Sequence, residues 1–117
     1  MKKIIIIGAG EVGSFLANKL SSEQHDVTLI ESNDSKVEEL NSTLDALVIN
    51  GNGGSPSSLM QAGAESADLI IAVTDDENVN MLSCYLAKNM GTKKSFARVQ
   101  DSSLKSELDE LNIDQII

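Results

Sequence analysis

The chain has 117 residues, 18 acidic against 9 basic, for a formal charge of −9, and only 3% of its residues are aromatic. That length holds one domain with one contiguous core, built here from aliphatic side chains. The charge argues against nucleic acid and anionic lipid as partners, because phosphate would be repelled, and no apolar run approaches the ~20 residues of a membrane span.

Ile4–Ile7 reads as a strand and Glu11–Ser22 as a helix with Val12, Phe15, Leu16 and Leu20 on one face. His25-Asp26 turns into a second strand, Val27–Glu31, followed by a helix over Asp34–Leu44 in which Ser35 and Glu38 have capping-box spacing. A third strand, Asp45–Asn50, runs into Gly51-Asn52-Gly53-Gly54. Ser55-Pro56 then opens a short helix that stops near Gly63, a left-handed cap. Asp68–Val73 is the fourth strand, and Asp76–Met90 a longer helix closed by Gly91. Within it Val79, Leu82, Leu86 and Met90 form the apolar stripe, leaving Met81 and Tyr85 off it as a candidate dimer patch. Lys94–Val99 is the fifth strand. Ser102–Leu111 is a further helix with Leu104, Leu108 and Leu111 on one side, and 112–117 begins another apolar element. Strand–helix alternation with aliphatic strands predicts a Rossmann-like, doubly wound α/β fold: a parallel sheet with helices on both faces, in a single domain.

Gly8-Ala9-Gly10-Glu11-Val12-Gly13 is a G-x-G-x-x-G loop placed directly between a strand and an amphipathic helix. In that context Gly8 permits the tight turn, Gly10 leaves room for a pyrophosphate, and Gly13 lets helix and strand approach. Free N–H groups at the helix start favour an anion there. Glu31 ends the second strand 18 residues after Gly13, where an acid can accept from both ribose hydroxyls or, more plainly, cap a helix. As a ribose ligand it would oppose a 2′-phosphate by roughly 1–4 kcal/mol at ~4 Å, and Ser32 and Asn33 bring no basic group to offset that.

The other polar clusters also fall at strand carboxyl ends, where ligands sit in open parallel sheets. Asn52 can pair with an adenine edge, or simply belong to a glycine-rich turn. In Thr74-Asp75-Asp76-Glu77-Asn78-Val79-Asn80 one of the two aspartates caps the next helix. Arg98, on the fifth strand, can meet phosphates, meet this acidic cluster, or serve as a structural ion-pair partner. Cys84, the sole cysteine, fits a buried core position and a reducing cytoplasm. With one cysteine and one histidine, a zinc site lacks ligands.

A dehydrogenase would need an acid–base group beside the nicotinamide. His25 falls in a turn at the opposite edge. Tyr85 and Lys88 are three residues apart, where the tyrosine–lysine pair of short-chain dehydrogenases needs four. No second lobe for a substrate is evident. The chain grips a nucleotide and offers nothing to react with it; an oxidoreductase domain lacking its substrate lobe is the alternative.

Taken together, KKIIIIGAGEVGSFLANKL, Glu31, the VINGNGGSP turn and AGAESADLIIAVTDDENVNMLSCYLAK resemble the RCK (KTN) domain family. Among its members is the nucleotide-binding domain of TrkA, the cytoplasmic regulatory subunit of bacterial Trk potassium uptake. The resemblance covers nearly the whole chain. It implies a non-enzymatic domain that binds NAD(H), or ATP or ADP, and whose rearrangement within a dimer or ring alters flux through an integral membrane potassium subunit. It places such a domain at the inner face of the plasma membrane without insertion. By position it implies that Gly8, Gly10 and Gly13 hold phosphates, that Ala9, Glu11 and Val12 between them also bind the cofactor, and that Glu31 and Ser32 hold the adenosine ribose. Asn52 and Gly53 lie by adenine. Thr74, Asp75, Glu77 and Asn80 line the far half, and Arg98 reaches the phosphates. The family often has Gly-Asp-Ala after the third strand where this chain has Gly51-Asn52-Gly53. It also implies that 101–117 begin a crossover helix toward a further C-terminal part.

Overall fold

The computed structural model describes residues 1–100, 110, 111 and 113–116. Five strands follow the predicted order: β1 (Lys3–Ile7), β2 (Asp26–Glu31), β3 (Leu47–Asn50), β4 (Leu69–Ala72) and β5 (Lys94–Ala97). A sixth, β6 (Gln115–Ile116), is the apolar element expected at the end of the chain. Every pairing is parallel, and the order across the sheet is β3-β2-β1-β4-β5-β6. The helices are α1 (Glu11–Ser22), α2 (Asp34–Thr43), α3 (Pro56–Gln61) and α4 (Glu77–Met90), with a short 3₁₀ turn at Ala64–Ser66. The expected helix over Ser102–Leu111, like the crossover helix implied for 101–117, falls mostly on residues outside those described.

Alternation along β1 divides the core between two faces. Ile5 and Ile7 pack with Leu59, Cys84 and Ala87 from the α3 and α4 side; Ile4 and Ile6 pack with Ala17, Leu16 and Leu40 from α1 and α2. Both faces are covered, so the strands need no polar alternation: Ile4–Ile7 are all buried. This is the doubly wound α/β fold the alternation predicted. Cys84 is fully buried, and desolvation pushes its thiol up to about 12, so it packs as a small apolar residue.

Three local expectations fail. Val12 and Phe15 are exposed, and the face of α1 against the sheet is made by Gly13 and Ala17. On α4 the line facing the core is Asn80, Ser83, Cys84 and Ala87. Met81 packs against that core while Leu82 is exposed beside Tyr85, so the outward pair is Leu82 and Tyr85 rather than Met81 and Tyr85. Small residues take the contact line because these helices lie close to the sheet. Finally, α2 is capped by Asn33, whose side chain accepts from the Lys36 N–H at 3.1 Å; Ser35 lies inside the first turn, so the Ser35/Glu38 capping box does not form.

Asp114 ties the last strand to the domain. Its carboxylate accepts from Ser95 N–H at 2.7 Å and pairs with Lys88 at 3.0 Å. Burial alone would raise its pKa, but the bonds from Lys88 and Ser95 outweigh that and hold it below the usual aspartate value.

Candidate functional site

The strand order reverses at β1, which has β2 on one side and β4 on the other. In such sheets the crevice outside the carboxyl ends at this point is the ligand position. A cleft of about 710 Å³ lies there, and its walls are the loops that follow β1 to β5.

The floor is the glycine loop. β1 ends at Ile7 and the chain turns at Gly8 with φ +101°, its N–H donating to Ile30 O at 2.9 Å. A side chain at Gly8 would be strained and would meet Thr74. Gly13 has a different reason: a Cβ there would overlap the Gly8 carbonyl oxygen, so α1 can seat against the loop only with glycine at this position. Gly10 has neither reason. Its backbone (φ −70°, ψ −165°) suits any residue, and a Cβ would meet no protein atom within 4 Å. The space a Gly10 side chain would take is left open at the cleft Gly10 lines. Gly10 is also the N-cap of α1 and brings no side-chain cap, so the first-turn N–H groups have no intrahelical acceptor. An open glycine before uncapped amides suits a phosphate.

Glu31 is buried at the end of β2. Its Oε1 accepts from Ala9 N–H at 2.6 Å and its Oε2 from Asn33 N–H at 2.9 Å. The carboxylate therefore braces the glycine loop against the N-cap of α2, and still has lone pairs for hydroxyl donors in the cleft it lines. Ser32 lines the same wall, and so does Lys36, which sequence reasoning missed. Starting α2 from an Asn33 cap puts Lys36 in the first turn, and helical side chains lean toward the N-terminus. The cap at Asn33 was the signal that could have found it.

On the β3 side, Gly53 lies so close to β1 that a Cβ would overlap Ile7 Cγ2. Asn52 is exposed; its Oδ1 accepts from Gly54 N–H at 2.8 Å. Both line the cleft. On the β4 side Thr74, Asp75, Asp76 and Val79 complete the wall. Asp76 is the helix cap of the two aspartates, accepting from Asn78 N–H at 2.9 Å and Val79 N–H at 3.3 Å. Glu77 and Asn80 do not reach the main cleft. With Thr74, Asp75, Arg98 and Gln100 they line a smaller adjoining pocket of about 310 Å³. Glu77 accepts there from Gln100 N–H at 3.0 Å.

Arg98 lines both spaces. Among the described residues its guanidinium makes no ion pair, although Asp75 and Glu77 line the same pocket. A cation with no ion pair among the described residues, on the cleft that the uncapped amides also line, suits an anionic ligand. Of the expected site residues, then, Gly8, Ala9, Gly10, Glu11, Val12, Glu31, Ser32, Asn52, Gly53, Thr74, Asp75 and Arg98 converge on one cleft; Glu77 and Asn80 stand beside it, and Gly13 behind it. Among the described residues no group of three His, Cys, Asp or Glu is placed to hold a metal ion. No helix there is long and apolar enough to cross a membrane.

The family model described as the TrkA-N domain matches residues 4–117. The Trk system potassium uptake protein TrkA of Halomonas elongata is 42% identical over 99 residues, 84% of this chain and 22% of that protein. The TrkA homolog of Methanothermobacter thermautotrophicus is 39% identical over 114 residues, 97% of this chain and 53% of that protein. The chain thus spans from about a fifth to about half the length of these relatives. Among solved structures, the GsuK channel bound to NAD superposes with a TM-score of 0.87 at 20% identity, over 99% of this chain and 21% of the channel chain; the same channel has been solved bound to ADP. At that identity the likeness speaks for the fold. The family match runs through the glycine loop, Glu31 and the β4 turn to the last residue, and on it the chain belongs to the TrkA-N domain family.

Proposed function

We propose that this chain is a nucleotide-sensing regulatory domain, without catalysis of its own, that holds NAD(H) in the cleft at the β1–β4 switch point and serves a potassium uptake system. The observation that carries this reading is Gly10, a glycine with no intramolecular reason to be one, opening onto the cleft in front of uncapped helix amides. In this reading the pyrophosphate lies over Gly8–Gly13, within reach of Arg98. The adenosine ribose donates to the lone pairs of Glu31 that Ala9 and Asn33 leave open, and adenine lies by Asn52 and Gly53. ATP or ADP would use the same adenosine end; GsuK has been solved with NAD and with ADP.

The relatives named as potassium uptake proteins support the transport role. The mechanism is a population shift: nucleotide favours one arrangement of paired copies, in a dimer or ring, and an integral membrane potassium channel or transporter subunit feels the bias. Residues 101–117 would lead into a crossover helix toward a further part, and the domain would sit at the inner face of the plasma membrane through that subunit. The dehydrogenase alternative draws no support from His25, which lies at the amino edge of the sheet with Nδ1 accepting from Lys2 N–H at 3.0 Å.

Thermal melts test the ligand. At 100 times its Kd a bound nucleotide adds about 2.7 kcal/mol, or roughly 10 °C for a domain of this size. NADH or ADP is expected to raise the midpoint by that order, and Glu31→Ala to reduce the rise. No rise with NAD, NADH, ADP or ATP would end the sensing reading.

A further inference from the structure

Asn80 was expected as a ligand residue, but its side chain is committed elsewhere. It is fully buried; its Oδ1 accepts from Thr74 N–H at 2.9 Å and lies 2.7 Å from Thr74 Oγ1, whose one hydrogen it shares with the Asp76 carbonyl at 3.0 Å. Its Nδ2 donates to Thr74 O at 3.0 Å and to Arg98 O at 2.8 Å. An asparagine amide has two donor hydrogens and two acceptor lone pairs, so nothing remains for a ligand. The two residues it holds both line the cleft, and they come from the ends of different strands, β4 and β5. Asn80 itself is in the first turn of α4. One side chain therefore fastens two walls of the cleft to one helix.

We propose that Asn80 is a positioning residue for the nucleotide: by gripping the Arg98 carbonyl and the Thr74 backbone it aims the Arg98 guanidinium at the phosphates. The inference rests on the nucleotide reading above. A carboxamide is suited to the task because the Thr74 and Arg98 carbonyls take donors while the Thr74 N–H takes an acceptor, and one amide group supplies both. Replacing Nδ2 by oxygen sets that oxygen against the Thr74 and Arg98 carbonyls. It leaves the acceptor side and the volume unchanged.

The test is a double-mutant cycle on ADP affinity with Asn80→Asp and Arg98→Gln. Asn80→Asp is expected to weaken ADP about tenfold when Arg98 is present and less than twofold when it is glutamine. A residue that only stabilises the fold would cost the same factor in both backgrounds, and that result overturns the proposal. A measurement on the unaltered protein covers the case in which Asn80→Asp does not fold. The Asn80 side-chain amide protons are expected to shift in nuclear magnetic resonance spectra as ADP is added, and to stay unmoved in Arg98→Gln at ADP concentrations that saturate it. ADP binding that leaves these protons in place in the unaltered protein contradicts the inference. Failure of ADP and NADH to bind at all contradicts the nucleotide reading instead.

Discussion

Gly13→Ala is expected to destabilise the domain by about 3 kcal/mol or more, a large share of the roughly 6–18 kcal/mol typical for this length. Alanine in place of glycine inside a helix ordinarily stabilises by about 1 kcal/mol, so the sign itself is diagnostic. The reversal arises because a Cβ on residue 13 would overlap the Gly8 carbonyl oxygen, a backbone atom that cannot swing aside. Relief requires α1 to move off the end of β1, which would uncover Ala17, Ile4 and Ile6. Circular-dichroism melts of the variant should show a midpoint more than 10 °C lower, or no cooperative transition. An unchanged midpoint would mean that helix and loop are not packed as described.

Gly10→Ser, three residues earlier in the same motif, is expected to do the opposite. Gly10 already has the extended backbone of an N-cap, and a Cβ there meets nothing. Serine is a preferred N-cap whose hydroxyl can accept from the first-turn N–H groups, so stability should hold or rise by a few tenths of a kcal/mol. Nucleotide affinity should fall about a hundredfold or more, because the new side chain fills the space in front of those amides and its hydroxyl takes up the donors a phosphate would use. Melts with and without NADH read both effects together: a midpoint at or above that of the parent, and no response to ligand. A retained response would show that the phosphates lie elsewhere. The two glycines thus separate the part of the motif that builds the fold from the part that waits for a ligand.

The sequence made the frame of the molecule legible because the frame depends on local signals. Strand and helix alternate in the aliphatic pattern, Asp76 caps α4, and Gly63 takes the left-handed conformation that ends the helix before it. Cleft residues could be placed because a parallel sheet gathers every β-to-α loop at one edge. Which helix face is buried was less legible. An amphipathic reading assumes that the largest apolar residues point inward. Here Gly13 and Ala17 form the line of α1 nearest the sheet, Leu16 and Leu20 pack beside that line, and Phe15 is turned outward. Leu82 is displaced in the same way by the line from Asn80 to Ala87 on α4. Asn80 was placed among the ligand residues by the family resemblance alone, at the start of the helix after β4. Only its four bonds reveal that its partners lie within the chain.

The charge balance of the cleft is the other feature that sequence order concealed. Glu31 alone suggested a strong bias against a 2′-phosphate, but its oxygens are already braced by two backbone donors and Lys36 lines the same wall.

The most direct measurement is an NADH titration followed residue by residue in amide nuclear magnetic resonance spectra. A nucleotide seated at the switch point should shift the amides of Gly8 to Gly13 and of Thr74 saturably, at one ligand per chain, while those at the amino edge around His25 stay still. Saturable shifts confined to any other surface, or none at all, would contradict the account.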